Sequence, residues 1–283
     1  MNNGNAAALF RRITVALDDS MQSSQALQEA AELAASLQAE LEGIFIEDIN
    51  LIHLAELPFT REIRPASMTQ EVVNSQRMEQ ELRSLARQQQ KKLELVANEK
   101  GIRCSFRIRR GQIKTELMEA VTEADILTLS RPGQVAEKFT RQSASLSLQA
   151  AAFPAQQASP SVSVIFGPAA SERKALMAAA RLASYLDVGL NILVNGESDT
   201  ETDELLHEAM VQLESQKQSV NYLRLPGCQV SDLVKATLSS NSRVLLLNSN
   251  NSLVTDGQLW SYLEQVSCPL LIVRETAENT ANA

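Results

Sequence analysis

The chain has 283 residues, 44 % of them apolar and 21 % charged, with a formal net charge of −8 and a pI near 5.0. That balance suits two globular domains and argues against a phosphate-backbone binder, which needs a positive face. No apolar run approaches the roughly 20 residues that cross a bilayer, and the first residues lack a signal peptide's apolar stretch. The expectation is a cytoplasmic protein with neither a membrane nor a nucleic-acid partner. Cys104, Cys228 and Cys268 are too scattered for a disulfide framework or a zinc site.

Ile13 to Leu17 is a short β-branched run ending at Asp18-Asp19-Ser20, a turn and helix-start signal. Ser20 or Ser23 can cap the following helix, which runs to about Leu37 and repeats Ala26, Leu27, Ala30, Ala31, Leu33, Ala34 and Leu37 on one stripe. Leu41 to Ile46 reads as the next strand, Cys104 to Ile108 as a third, Glu116 to Ala124 as a helix and Ile126 to Leu129 as a fourth strand. This alternation gives a parallel sheet with right-handed crossovers, and hence an α/β fold. Residues 50–101 form a long insertion, with a helix expected from Thr69 to Lys100 and stopped by Gly101. Along it Met78, Leu82, Leu85, Gln89, Leu93 and Val96 alternate steps of three and four, a stripe for either a partner helix or the protein's own core.

In the second half the strand candidates are Val162 to Phe166, Leu190 to Val194, Val220 to Leu225, Val244 to Leu247 and Leu270 to Val273. Helices fall near Ser171 to Leu186, Thr202 to Gln216, Ser231 to Ser239 and Gly257 to Val266. The halves repeat each other: Ile13–Ile46 and Val162–Asn195 pair without a gap, with identities such as Ala26/Ala175, Leu33/Leu182, Leu37/Leu186 and Leu41/Leu190. The joint Gly111…Thr115-Glu116-Leu117 recurs as Gly227…Ser231-Asp232-Leu233, which reads as a Ser/Thr cap before an acidic first turn. No strand is legible between Gln149 and Ser161, so the first half lacks its fifth strand. The expected division is a first domain at 10–150 carrying the 50–101 insertion, a linker at 151–160, a second domain at 161–276 and a tail at 277–283.

This order of elements, with the ITVALDDS opening, the SSQALQEAAELAASLQAELEGIFI unit, the DILTLS strand and the terminal CPLLIVRE strand, resembles the universal stress protein family in its tandem-domain bacterial form. The resemblance covers most of residues 10 to 150 and 160 to 276. It implies two tandem doubly wound parallel-sheet domains of the adenine-nucleotide alpha-hydrolase type. Nucleotide, when bound, lies across the carboxyl ends of the strands.

In nucleotide-holding members an Asp ends the first strand near the adenine, and a Gly-x-x-Gly stretch, followed nine residues later by Gly-Ser/Thr, cradles phosphates. Asp18 matches the first requirement, but the loop reads Ser130-Arg131-Pro132-Gly133, and Ser143 and Ala144 replace the later Gly-Ser/Thr, with Ser145 one step late. Ser does not reach the backbone angles open to Gly, and Pro132 removes a donor, while Arg131 compensates by charge. Asp18, Ser130, Arg131, Gly133, Ser143 and Ser145 are thus the candidate site for ATP or AMP. In the second half Gly167 stands for the Asp and Ser249-Asn250-Asn251-Ser252 for the loop, which reads as a degenerate, structural copy.

His53 and His207 are the only histidines, and neither falls in a triad order; P-loop, HExxH and complete GxGxxG patterns are absent. Glu47 and Asp48 close the second strand on the cleft rim and are the better acidic pair for chemistry, since Asp18-Asp19 also reads as a helix start. Two readings follow. One is a non-catalytic stress-response protein, with no cofactor, acting through contacts of the insertion with a protein partner. It would pair with a second copy along Leu270 to Val273, because family domains commonly pair through their fifth strands. The other is an adenine-nucleotide sensor built on the first half.

Overall fold

The computed structural model describes residues 10–57, 61–64, 69–72, 75–130, 159–169, 172–196, 198–214, 219–225, 229–266 and 268–274. The first half runs β1 (Arg12–Leu17), α1 (Met21–Leu37), β2 (Glu40–Asp48), α2 (Ile49–Glu56), β3 (Arg61–Arg64), β4 (Thr69–Val72), α3 (Ser75–Lys100), β5 (Cys104–Gly111), α4 (Ile113–Glu123) and β6 (Ile126–Leu129). The second runs β7 (Ser161–Phe166), α5 (Glu172–Leu186), β8 (Gly189–Val194), α6 (Asp199–Leu213), β9 (Val220–Arg224), α7 (Val230–Ser239), β10 (Ser242–Asn248), α8 (Ser252–Thr255), α9 (Leu259–Gln265) and β11 (Leu270–Val273).

Nine strands form one sheet in the order β5-β2-β1-β6-β11-β10-β7-β8-β9. Neighbours are parallel except at the centre, where β11 runs antiparallel to β6 with Leu270 opposite Leu129 and Val273 opposite Ile126. The expectation of an open edge at Leu270–Val273 is therefore overturned. All four residues are buried, and with β10 paired on the other side β11 has no free edge. A strand apolar on both faces is stable only when both faces and both edges are covered. Residues 131–158, where a fifth strand of the first half would fall and which include most of the expected linker, lie outside the described residues.

Helices cover both faces. On one, α1 and α5 pack against each other across the β6–β11 seam over Val15, Ile126, Val244 and Leu271; on the other, α4, α7 and α9 cover Leu127, Leu129, Leu245 and Ile272. Two arginines of the second half pin the seam. Arg243 donates from Nε and Nη2 to Glu29 Oε1 on α1 at 3.0 and 2.8 Å, and from Nη2 to Glu32 Oε2 at 3.1 Å. Arg274 donates to Asp125 Oδ1 at 2.7 Å, while Asp125 Oδ2 accepts the Arg11 amide at 2.8 Å.

The repeat reaches into backbone detail. Helices α1 and α5 are each followed by a left-handed residue at matching positions, Gln38 with φ 55° and Asp187 with φ 54°. Ser20 caps α1, accepting the Ser23 amide at 2.9 Å, as the sequence predicts. The later joints differ from expectation. Gln112 and Gln229 hold the N-cap positions of α4 and α7 without a side-chain cap, and Thr115 and Ser231 lie inside the first turns.

In the insertion the long helix begins at Ser75 rather than Thr69, because Thr69–Val72 pairs with Arg61–Arg64 in a separate two-stranded hairpin. Its 26 residues span about 39 Å. The stripe turns inward: Met78, Leu82 and Ala86 pack with Leu51, Ile52 and Ala55 of α2, and Leu93 and Val96 join the main core. Gln89 shares that stripe at 2 % exposure, and its Nε2 has no hydrogen-bond partner. A buried unpaired amide donor costs more than an apolar group of similar shape. Gln89→Leu should therefore stabilise the protein by about 1 kcal/mol, read as a higher urea midpoint at unchanged m-value.

Candidate functional site

In the sheet order β2 and β5 lie on one side of β1 and β6 on the other, while α1 and α4 occupy opposite faces. A parallel sheet wound this way opens a crevice outside the carboxyl ends of its two central strands, here β1 and β6. Asp18 and Ser130 are the first residues beyond those strands, so the fold brings these two candidates to one rim. Arg131, Gly133, Ser143 and Ser145 lie outside the described residues.

Local chemistry already occupies part of Asp18. Its Oδ1 accepts the Ser20 amide at 2.8 Å, and its own amide donates to Ser23 Oγ at 2.9 Å, fixing the turn from β1 into α1. Ser23 is fully enclosed, and Ser130 is buried at the base of the crevice. The rim thus offers a half-buried carboxylate and a hydroxyl, groups that can hold hydroxyl or amine donors of a ligand.

The second half builds the same joint from other residues. Gly167 takes the place of Asp18, and its amide donates to the carboxylate of Glu172, which takes the place of Ser23. A Cβ at Gly167 would lie 2.8 Å from Glu172 Oε2 and 3.1 Å from the Asn195 carbonyl oxygen, so a side chain there would require the Glu172 carboxylate to move. Burial pushes the Glu172 carboxyl up to about 7. Beyond β10 the loop folds back on itself. Asn248 Oδ1 accepts the Asn250 amide at 2.8 Å, and Asn251 Oδ1 accepts the Leu253 amide at 3.1 Å to cap α8. Between the start of α7 and α8 lies an open cavity of about 540 Å³ lined by Gln229, Val230, Ser231, Ser252, Asp256 and Gln258.

The acidic pair on the rim of β2 is engaged in structure. Glu47 is buried and accepts from Arg110 Nε at 2.9 Å and Nη2 at 2.7 Å, while Asp48 caps α2 by accepting the Asn50 amide at 3.0 Å. His53 and His207 are exposed on α2 and α6. No cluster of potential metal ligands occurs among the described residues. Sequence reasoning missed Glu172; its one signal was the ungapped pairing, which sets a carboxylate where the first half has a serine.

The model of the universal stress protein family matches residues 9–148. Through its first half, the chain belongs to the universal stress protein family. A universal stress protein from Archaeoglobus fulgidus DSM 4304 shares the fold over 95 % of this chain and 99 % of that one, with a TM-score of 0.56 at 11 % identity. A universal stress protein crystallised with cAMP is 19 % identical over 40 % of this chain and 95 % of its own, with a TM-score of 0.32. No curated protein matches the chain in sequence. By strand register, Gly167 and Asn248 are the second half's counterparts of Asp18 and Ser130. No helix among the described residues is long and apolar enough to cross a membrane.

Proposed function

We propose that this universal stress protein is a non-catalytic cytoplasmic protein of two domains, bounded at 10–150 and 161–276, that acts through protein contacts made by its 50–101 insertion. The observation that carries this reading is how the polar groups at the strand ends are spent. Glu47 is held by Arg110, Asp48 and Asn251 cap helices, and Glu172 closes its own strand end. These are structural uses of the groups that a catalytic site would need as acid and base. The insertion, by contrast, adds a hairpin outside the main sheet and a helix whose outer face is charged. Replacing residues 61–72 by a Gly-Ser loop leaves the buried stripe of α3 in place. Cross-linking mass spectrometry should recover a partner with the wild-type chain and lose it with the trimmed one; an unchanged partner set would refute the role of the insertion.

Among the described residues the main sheet ends at two strands, β5 and β9, which self-association could use. The first is guarded by Arg107, Arg109 and Arg110, each ion-paired within the chain, whereas β9 carries one arginine. Charged edges resist pairing, so the second copy is assigned to β9. Light scattering across micromolar concentrations should give twice the chain mass, and a monomer throughout would reject the dimer.

Asp18 and Ser130 on one rim favour a second reading, an ATP or AMP sensor completed by Arg131, Gly133, Ser143 and Ser145. Calorimetric titration with ATP, AMP and cyclic AMP should then show binding that Asp18→Ala abolishes. Absence of heat with all three nucleotides would reject it.

A further inference from the structure

The joint between the first strand and first helix is made by a neutral hydroxyl in one half, Ser23, and by a carboxylate in the other, Glu172. Charge is therefore not required to make it. Glu172 is 7 % exposed, and a Cβ at Gly167 would displace its carboxylate, so the glycine leaves the room that the glutamate fills. Among the described residues, none of the surrounding cations is paired with it. Strands β7 and β8 contribute none, and Arg243 of β10 binds Glu29 and Glu32, the only charged residues of α1. On α5 Arg173 pairs with Glu208 of α6, Lys174 and Arg181 follow further along the helix, and the start of α6 supplies only acids, Asp199, Glu201, Asp203 and Glu204.

We propose that Glu172 is a proton-sensitive latch in the β7–α5 joint, a buried carboxylate with no cation paired to it among the described residues, which accepts the Gly167 amide in either protonation state but weakens the fold when ionised. Because α5 packs on α1 across the seam, loosening of this joint reaches the contact between the halves. The sign follows from linkage. Burial holds the carboxyl at about 7, above its ordinary 4.5, so the folded protein takes up the proton more readily than the unfolded chain. Stability rises as pH falls below about 7 and is lost as pH rises through it.

The test is thermal unfolding of the full-length wild type and Glu172→Gln between about pH 5.5 and 8.5. Wild type should lose about 3–8 °C relative to the variant over that range. Parallel curves would overturn the latch. Glu29 is also raised by burial, against the pull of Arg243, so Glu29→Gln serves as a control that must leave the step near neutrality in place. A paired variant, Gly167→Asp with Glu172→Ser, installs the first half's joint and should flatten the curve; a retained step would reject the assignment. Should neither variant fold, the carboxyl carbon-13 shift of wild-type Glu172 decides, a midpoint near 7 supporting the latch and one near 4.5 refuting it.

Discussion

Strand β11 is apolar on both faces, and the molecule is arranged around keeping it covered on every side. Its four residues are buried between β10 and β6; the α1–α5 pair closes over Leu271 and Val273, and the helices of the other face over Leu270 and Ile272. At roughly 25 cal/mol per Å² of apolar surface removed from water, exposing such a strand would forfeit several kcal/mol. Joining the half-sheets antiparallel at this one strand also points their carboxyl ends in opposite directions. Each half therefore keeps its own crevice, on opposite rims of a common sheet.

Duplication preserved the lattice and changed its occupants. Arg12, Thr14 and Glu42 in the first half correspond to Ser161, Ser163 and Asn191 in the second; Thr14 and Glu42 are buried beneath an exposed Arg12, whereas all three second-half residues are buried. Thr14 donates to Glu42 at 3.2 Å, with Arg107 closing on the same carboxylate at 2.8 Å; Asn191 donates to Ser161 at 2.6 Å. A charged network thus became a neutral one at the same positions. At the strand end the change went the other way, from the Ser23 hydroxyl to the Glu172 carboxylate. Both exchanges keep the buried acceptor satisfied, which is the condition a buried polar position must meet.

Much of the scaffold was readable because its signals are local. The stripe of α1, the Ser20 cap, the glycine stop at Gly101 with φ 66° and the β-branched strands depend on residues a few positions apart. Asp18 and Ser130 were legible as site candidates because each ends a recognisable strand. The hairpin within the insertion escaped, since Thr69–Val72 and Arg61–Arg64 carry no apolar alternation and the expected helix overran the second of them. The inward turn of α3 was open from sequence, because a stripe at heptad-like spacing fits a partner helix as well as α2.

The sequence by itself determined the duplication, the α/β class, the strands of the main sheet and the residues at the strand ends, because periodicity, capping and strand-end chemistry are encoded within short stretches. Only the tertiary structure decided that β11 completes the sheet instead of waiting at an edge, that Arg243 and Arg274 clamp one half to the other, and that Glu172 fills the space left by Gly167. The seam and its two arginine clamps join residues more than a hundred positions apart, and Glu172 turns inward only because the packed sheet and helices enclose it. Burial and pairing at such separations are properties of the packed chain, not of any segment within it.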